Sequence, residues 1–291
     1  MGFFYLTFDF YHKRIKTKES VSMKFNKLFA ALSASAMLAA AALAPAHAAG
    51  SVSTDGSTSM EYLIGALGES FTEKNKDIKF TYSPTGSGAG IAAAAEGRTD
   101  IGLASRGLKG DETKTLDAHV VALDGIVVVV NPKNPVSDLT LEQIKDVYTG
   151  KVTNWKQVGG EDHPIVLIGR EAGSGTRDGF ETVTDTKDSC KYRQELTSTG
   201  DVMTTVSKNV NAVGYASLSA VSKKIKTVSV GGVVASEATI KDGSYKLQRP
   251  FLMVTKKGVE QTDAVKSFLK YALSPEASEI VKMTGVVPVA E

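Results

Sequence analysis

Residues 124–132 read DGIVVVVNP, and Ile126 through Val130 form an unbroken β-branched run. A strand with one solvated face alternates apolar and polar side chains, so a run without that alternation predicts a strand buried on both faces. Such a strand needs helices packed on each side of its sheet, and the rest of the sequence supplies them. Met60, Leu63, Ile64, Leu67 and Phe71 fall at helical spacing after the GST turn at 56–58. IKFTYS at 78–83 reads as a strand, runs into PTGSGAG, and gives way to the helix-forming IAAAAEGR. TDIGLAS predicts a strand ending at Ser105, and LEQIKDVYTG a helix closed by Gly150. PIVLIG predicts a strand that turns at GREAGSGTR into the helix continued by DGFETV. NAVGYASLSAV reads as a strand followed by a helix start, and PFLMVTKK as a further strand. Two helices are expected near the C-terminus, around 262–273 and 275–284, the second stopped by Gly285. This alternation predicts the α/β class.

The beginning of the chain is expected to stand apart from that fold. Residues 23–48 read MKFNKLFAALSASAMLAAAALAPAHA: a methionine, two lysines, a small apolar stretch, then Ala46-His47-Ala48. That is the layout of a secretory signal peptide, with cleavage expected after Ala48. The competing reading is a membrane anchor; Pro45 and the modest apolar length argue against it. Residues 1–22 precede a complete signal peptide and are read as an upstream extension without function. The full chain has 34 Lys and Arg against 32 Asp and Glu. Residues 1–48 account for six basic and two acidic, so residues 49–291 carry 28 and 30, a net of −2. A near-neutral balance argues against a nucleic-acid binder, which would need a basic face. Cys190 is the only cysteine, so no intramolecular disulfide is possible, and packing is its expected role. After the leader only His119 and His163 remain, far apart, and no ligand cluster or cofactor motif is present.

Three glycine-flanked hydroxyl turns stand at predicted helix starts: GSTS at 56–59, TGSGAG at 85–90 and AGSGT at 172–176. A helix start leaves backbone N–H groups unpaired and carries about half a positive charge, so it holds anions without a formal cation. Serine and threonine there are also ordinary N-caps. Three such turns, together with Ser105-Arg106 and Arg170, point beyond capping to a shared oxyanion pocket. Other glycine-loop chemistries fail on detail. No Lys follows the last glycine of 169–176, as a P-loop requires, and the 86–90 run lacks the third glycine of a dinucleotide fingerprint. No GxSxG elbow surrounds Ser87 or Ser174, which leaves a secreted serine hydrolase as a remote alternative.

GSTSM, YSPTGSGAG, DIGLASR, LDGIVVVVNP, GREAGSGTRDGF, AVGYASL and the terminal TGVVPV together resemble the PstS-type periplasmic phosphate-binding proteins, in the shorter branch whose third motif reads SR. The resemblance implies a two-lobe, type II binding-protein fold with two crossover strands, phosphate enclosed between the lobes, and delivery to the membrane permease of an ABC importer. It implies a monomer that is not an enzyme and needs no cofactor. Lobe 1 is expected to comprise about 49–126 and 249–291, and lobe 2 about 127–248, with GIVVVVNP and PFLMVTKK as the crossovers. The ligands carried over are Thr58 and Ser59 from the first turn, Ser87 from the second, and Ser105 with Arg106 from the third motif. Arg170, Ser174, Gly175 and Thr176 come from the other lobe. Longer relatives have an aspartate in place of Arg106 that accepts the proton of hydrogen phosphate. Here Asp124, at the start of the crossover strand, is the candidate acceptor, or else it orients Arg106 or Arg170 through an ion pair. Relatives orient the first arginine with a carboxylate two residues on; here Glu171 is adjacent. Sulfate, molybdate or tungstate remain the alternative ligands.

Overall fold

The computed structural model describes residues 50–289; the signal peptide, its cleavage point and the upstream extension lie outside the described residues. The chain opens as β1 (Ser51–Gly56), α1 (Glu61–Lys74), β2 (Lys79–Ser83), α2 (Ser87–Glu96) and β3 (Ile101–Ala104). After the short α3 (Glu112–Thr115) comes the long β4 (Leu116–Val130), then β5 (Asp138–Leu139), α4 (Leu141–Tyr148), β6 (Val166–Arg170) and α5 (Gly175–Val183). The chain continues through β7 (Gln194–Leu196), α6 (Thr199–Lys208), β8 (Ala212–Ser217), β9 (Lys226–Val230) and α7 (Glu237–Lys241). It ends in β10 (Gln248–Lys256), α8 (Asp263–Ala272), α9 (Pro275–Met283) and β11 (Val287–Pro288).

Parallel strands β2, β1 and β3 continue through antiparallel β10 and β4 to β8, β6 and β7, with β9 and β11 also paired to β4. β4 is the shared element. From Leu116 to Gly125 it pairs with β10; from Ile126 to Val130 it pairs with β8, and Val128 to Val130 also face β9. The change of partner falls at Gly125/Ile126, where Ile126 N donates to Leu247 O at 2.7 Å.

The valine run behaves as its composition demands. Ile126, Val128 and Val130 pack on one face with Ile144, Trp155, Phe180 and Tyr215, while Val127 and Val129 pack on the other with Ile168, Val202 and Val206. A separate core joins the predicted stripe of α1 to Val52, Leu103, Phe251, Val265 and Phe268. Phe71 and Phe268 meet edge to face at 5.2 Å there, a geometry that adds about 0.5–1.5 kcal/mol to the area buried. α2 lies close on β1 because Gly90 has no side chain: a Cβ would meet Asp55 O at 2.3 Å. This glycine is what brings the start of α2 beside the end of β1.

Two differences from the sequence reading have local causes. β4 begins at Leu116 rather than Gly125, because LDAHVVALD pairs along β10 while keeping several exposed side chains. Its pattern is therefore weaker than that of the buried run. β1, α3, β5, β7, β9, α6, α7 and β11 do not stand out in the sequence: all but α6 are six residues or shorter, and α6 begins in a polar Ser-Thr-Gly-Asp segment.

Candidate functional site

Each of the three hydroxyl turns opens a helix. Thr58–Met60 form a 3₁₀ turn leading into α1, Ser87 is the first residue of α2, and Ser174 precedes α5. Capping explains only one of them. Ser174 Oγ accepts from Arg177 N at 3.2 Å, which makes it an N-cap, whereas the turns before α1 and α2 have no side-chain cap bond. The hydroxyls of Thr58, Ser59 and Ser87 are instead directed at one another's surroundings.

They converge. Ser59 Oγ lies 2.6 Å from Thr176 Oγ1, and Ser87 Oγ lies 3.2 Å from Ser105 Oγ and accepts from Ser105 N at 3.0 Å. Gly88 N donates to Gly173 O at 3.0 Å, joining the α2 and α5 turns directly. Gly175 fits between them because it has no side chain: a Cβ there would sit 2.4 Å from Ser87 Oγ and 2.7 Å from Ser105 Oγ. Thr58, Ser59, Ser87, Ser105, Ser174, Gly175 and Thr176 thus form one buried patch of hydroxyl and backbone donors.

A residue that sequence reasoning missed sits at its centre. Thr199 Oγ1 lies 3.0 Å from Ser59 Oγ and 3.2 Å from Thr58 Oγ1, and it accepts from Arg170 Nη1 at 3.1 Å. Thr199 opens α6 behind the N-cap Ser198. The signal was present, since STGD is a helix-start sequence before Val202, Met203 and Val206, but it lacks the paired glycines that marked the other turns.

Arg170 ends β6 and is 1% exposed. An unpaired charge at that depth would cost several kcal/mol, so its partners decide whether it can be there. Glu171 takes it with both oxygens, from Nε at 3.0 Å and Nη2 at 2.8 Å. Leu196 O and Thr197 O accept from the same two nitrogens, each at 3.1 Å. The adjacent carboxylate therefore does orient this arginine, although it stands one position from where relatives place it. Behind it, Tyr215 Oη accepts from Arg170 N at 3.1 Å and Arg177 Nη1 donates to Arg170 O at 2.9 Å. Arg177 is otherwise held by Glu181 and Glu195, so the second arginine of the motif supports the turn from outside the patch.

Arg106 and Asp124 are placed differently from the expectation. Arg106 sends its guanidinium to both oxygens of Glu112, each at 2.8 Å, and to Gly107 O; Arg106 holds the Glu112 carboxyl below its ordinary range. Asp124 pairs with neither Arg106 nor Arg170. Its partner is Arg249, directly opposite it in the β4–β10 register, whose Nη2 and Nε donate to Oδ2 at 2.9 and 3.1 Å. Ser217 Oγ donates to Asp124 Oδ1 at 2.7 Å. Burial pushes the Asp124 carboxyl above its ordinary range, against the opposing pull of Arg249 and Ser217. The pair lies one layer behind the patch: Arg249 Nη1 donates to Ser105 O at 3.3 Å, and Ser217 reaches Ser219, whose hydroxyl donates to Ser59 O at 3.4 Å.

Each of the two guanidiniums closest to the patch is thus matched by a carboxylate. What remains to meet a ligand is a set of oriented hydroxyls, helix-start N–H groups and the one N–H that Arg170 Nη1 has left beside Thr199, an arrangement suited to a small oxyanion. Open surface cavities lie elsewhere, one along Val147, Gly150, Tyr192 and Arg193.

A sequence model of the PBP superfamily domain matches residues 41–276. The chain is 32% identical over 251 residues to the phosphate-binding protein PstS of Bacillus subtilis (strain 168), covering 84% of this chain and 82% of that protein. It is similar in structure to a putative phosphate ABC transporter substrate-binding protein with bound phosphate from Clostridium perfringens. The TM-score is 0.78 and the identity 42%, over 82% of this chain and 99% of the other. An ABC-type phosphate transport receptor from Vibrio cholerae gives a TM-score of 0.68 and 32% identity, over 81% and 99% of the two chains.

Proposed function

Because the chain belongs to the PBP superfamily and, within it, to the PstS-type phosphate-binding proteins, we propose that it binds inorganic phosphate outside the cytoplasm and delivers it to the permease of an ABC importer. The observation that carries this reading is the chain of hydroxyls Thr176–Ser59–Thr199–Thr58, from three separate helix starts, with successive links of 2.6, 3.0 and 3.2 Å beside the buried Arg170. Hydroxyls and helix-start amides supply several donors to tetrahedrally arranged oxygens without adding formal charge. The proposed ligands are Thr58, Ser59, Ser87, Ser105, Arg170, Ser174, Gly175 and Thr176. Arg106 and Asp124 act around that set, through Glu112 and Arg249 respectively. Family membership places the chain among substrate-binding transport proteins rather than an enzyme class. The Ser87 hydroxyl lies against that of Ser105, and the Ser174 hydroxyl accepts from Arg177 N.

In this reading residues 49–126 with 249–291 make one lobe and residues 127–248 the other. The partner change of β4 at Gly125/Ile126 supports that boundary. The leader at 23–48 supports export, and a periplasmic location follows if the cell has an outer membrane. Isothermal titration of the purified protein with phosphate, sulfate, molybdate and tungstate tests the assignment. Saturable one-to-one binding of phosphate, tighter than that of the other three, is expected; tighter binding of sulfate or molybdate would overturn it.

A further inference from the structure

Thr199 lies outside every motif that pointed to the site, is 3% exposed, and receives the nitrogen that Arg170 directs into the hydroxyl patch. We propose that Thr199 is a further anion-binding residue, through whose hydroxyl Arg170 acts on the ligand; this rests on the phosphate reading above. A guanidinium has five N–H donors, one on Nε and two on each Nη. In Arg170 the Nε proton is shared by Glu171 Oε2 and Leu196 O, and the two on Nη2 go to Glu171 Oε1 and Thr197 O. One Nη1 proton goes to Thr199 Oγ1. At most one N–H is left, so Arg170 has no free two-pronged edge with which to clasp an oxyanion.

The hydroxyl then becomes the route by which its charge is felt. Thr199 Oγ1 takes a charge-assisted hydrogen bond from Arg170 on one lone pair, which turns its own proton away from the guanidinium, into the space it shares with Thr58 and Ser59. Accepting such a bond polarises the O–H and strengthens it as a donor. Thr58 is set in the same sense, because its Oγ1 accepts from Thr199 N at 3.2 Å. One residue thus orients two hydroxyls as donors: its side chain relays Arg170, and its backbone N–H polarises Thr58. An anion with several unprotonated oxygens is what such a donor pair recognises.

The test compares Thr199→Val, which keeps shape and removes the hydroxyl, with Thr199→Ser, which restores it. Phosphate titration of T199V should show affinity lower by about tenfold or more, while T199S stays within about threefold of the parent. Ligand-free urea unfolding should show the same midpoint for T199S as for the parent, separating binding from folding. In an Arg170→Gln background the T199V effect should largely vanish, because the two residues act in series. Unchanged affinity in folded T199V, or an undiminished effect in the R170Q background, overturns the inference while leaving the phosphate reading intact. If T199V does not fold, Thr199→Ala gives the same comparison. A parent that binds no phosphate overturns the functional reading itself, and this inference with it.

Discussion

Arg170 and Arg106 are both buried arginines next to hydroxyl turns, yet their partners assign them different consequences. Arg170 places Nη1 inside the patch, whereas Arg106 is closed off by Glu112 and Gly107 O. Arg170→Ala should weaken phosphate binding by about tenfold or more, equivalent to about 1.4 kcal/mol, and Arg106→Ala by less than about threefold. Titration calorimetry on both variants reads the ratio; an equal loss would contradict the geometry. Asp124 carries a different expectation. With both oxygens engaged and no exposed surface, its charge balances Arg249, so Asp124→Asn leaves a buried guanidinium without its counter-ion. Removing one member of a buried pair costs about 3–5 kcal/mol. Urea unfolding of D124N should show a loss of that size. A variant as stable as the parent would mean that Arg249 finds another partner.

At the scale of elements, the site is made by how closely helices α2 and α5 approach, and glycine sets that distance. Gly175→Ala would put a methyl 2.4 Å from Ser87 Oγ and 2.7 Å from Ser105 Oγ, separations that are relieved by turning those hydroxyls out of the patch or by moving the two turns apart. The variant should fold with an unchanged ligand-free midpoint and bind phosphate at least about tenfold more weakly, since the donors no longer converge. Gly65, exposed on α1 with nothing within 4 Å of its would-be Cβ, provides the contrast. Gly65→Ala should raise stability by about 0.5–1 kcal/mol through helix propensity and leave binding untouched. Thermal unfolding and titration of the two variants should separate cleanly. If both behave alike, close approach at Gly175 is not what shapes the site.

At the scale of the whole molecule, β4 and β10 are the segments through which the proposed lobes are joined. At the patch the proposed lobes meet through polar contacts: Ser59 with Thr176 and Thr199, Thr58 with Thr199, Ser219 with Ser59 O, Gly88 with Gly173, and an ion pair of Lys109 with Asp178 at the rim. The rim ion pair contributes about 0–1 kcal/mol, and an anion that takes donors from both proposed lobes at once would favour the closed form over the open one. Loss of the ligand should therefore open the cleft by rotation about Gly125/Ile126 and the neighbouring Leu247–Arg249 segment. Small-angle scattering should show a smaller radius of gyration at saturating phosphate than in its absence. An identical profile in both conditions would rule out the hinge.

Some of this was written locally along the chain. Five consecutive β-branched residues can satisfy one environment, a strand covered on both faces, and the burial of Ile126–Val130 follows from that alone. The stripe on α1 and the three hydroxyl turns at helix starts were equally legible, because periodicity and turn chemistry act over a few residues. The partnerships were not. Arg249 is 125 positions from Asp124 and meets it through the antiparallel register of two strands. Thr199 is about 140 positions from Ser59 and reaches it because α6 and α1 start at the same place. Whether Ser174 caps a helix or Ser59 faces a ligand depends on which hydroxyl has an N–H within reach, and only packing sets that distance. Sequence by itself determined the class of fold and the chemistry available to the site. Tertiary structure decided which hydroxyls, charges and backbone groups stand together, because those contacts join segments that no local energy term connects.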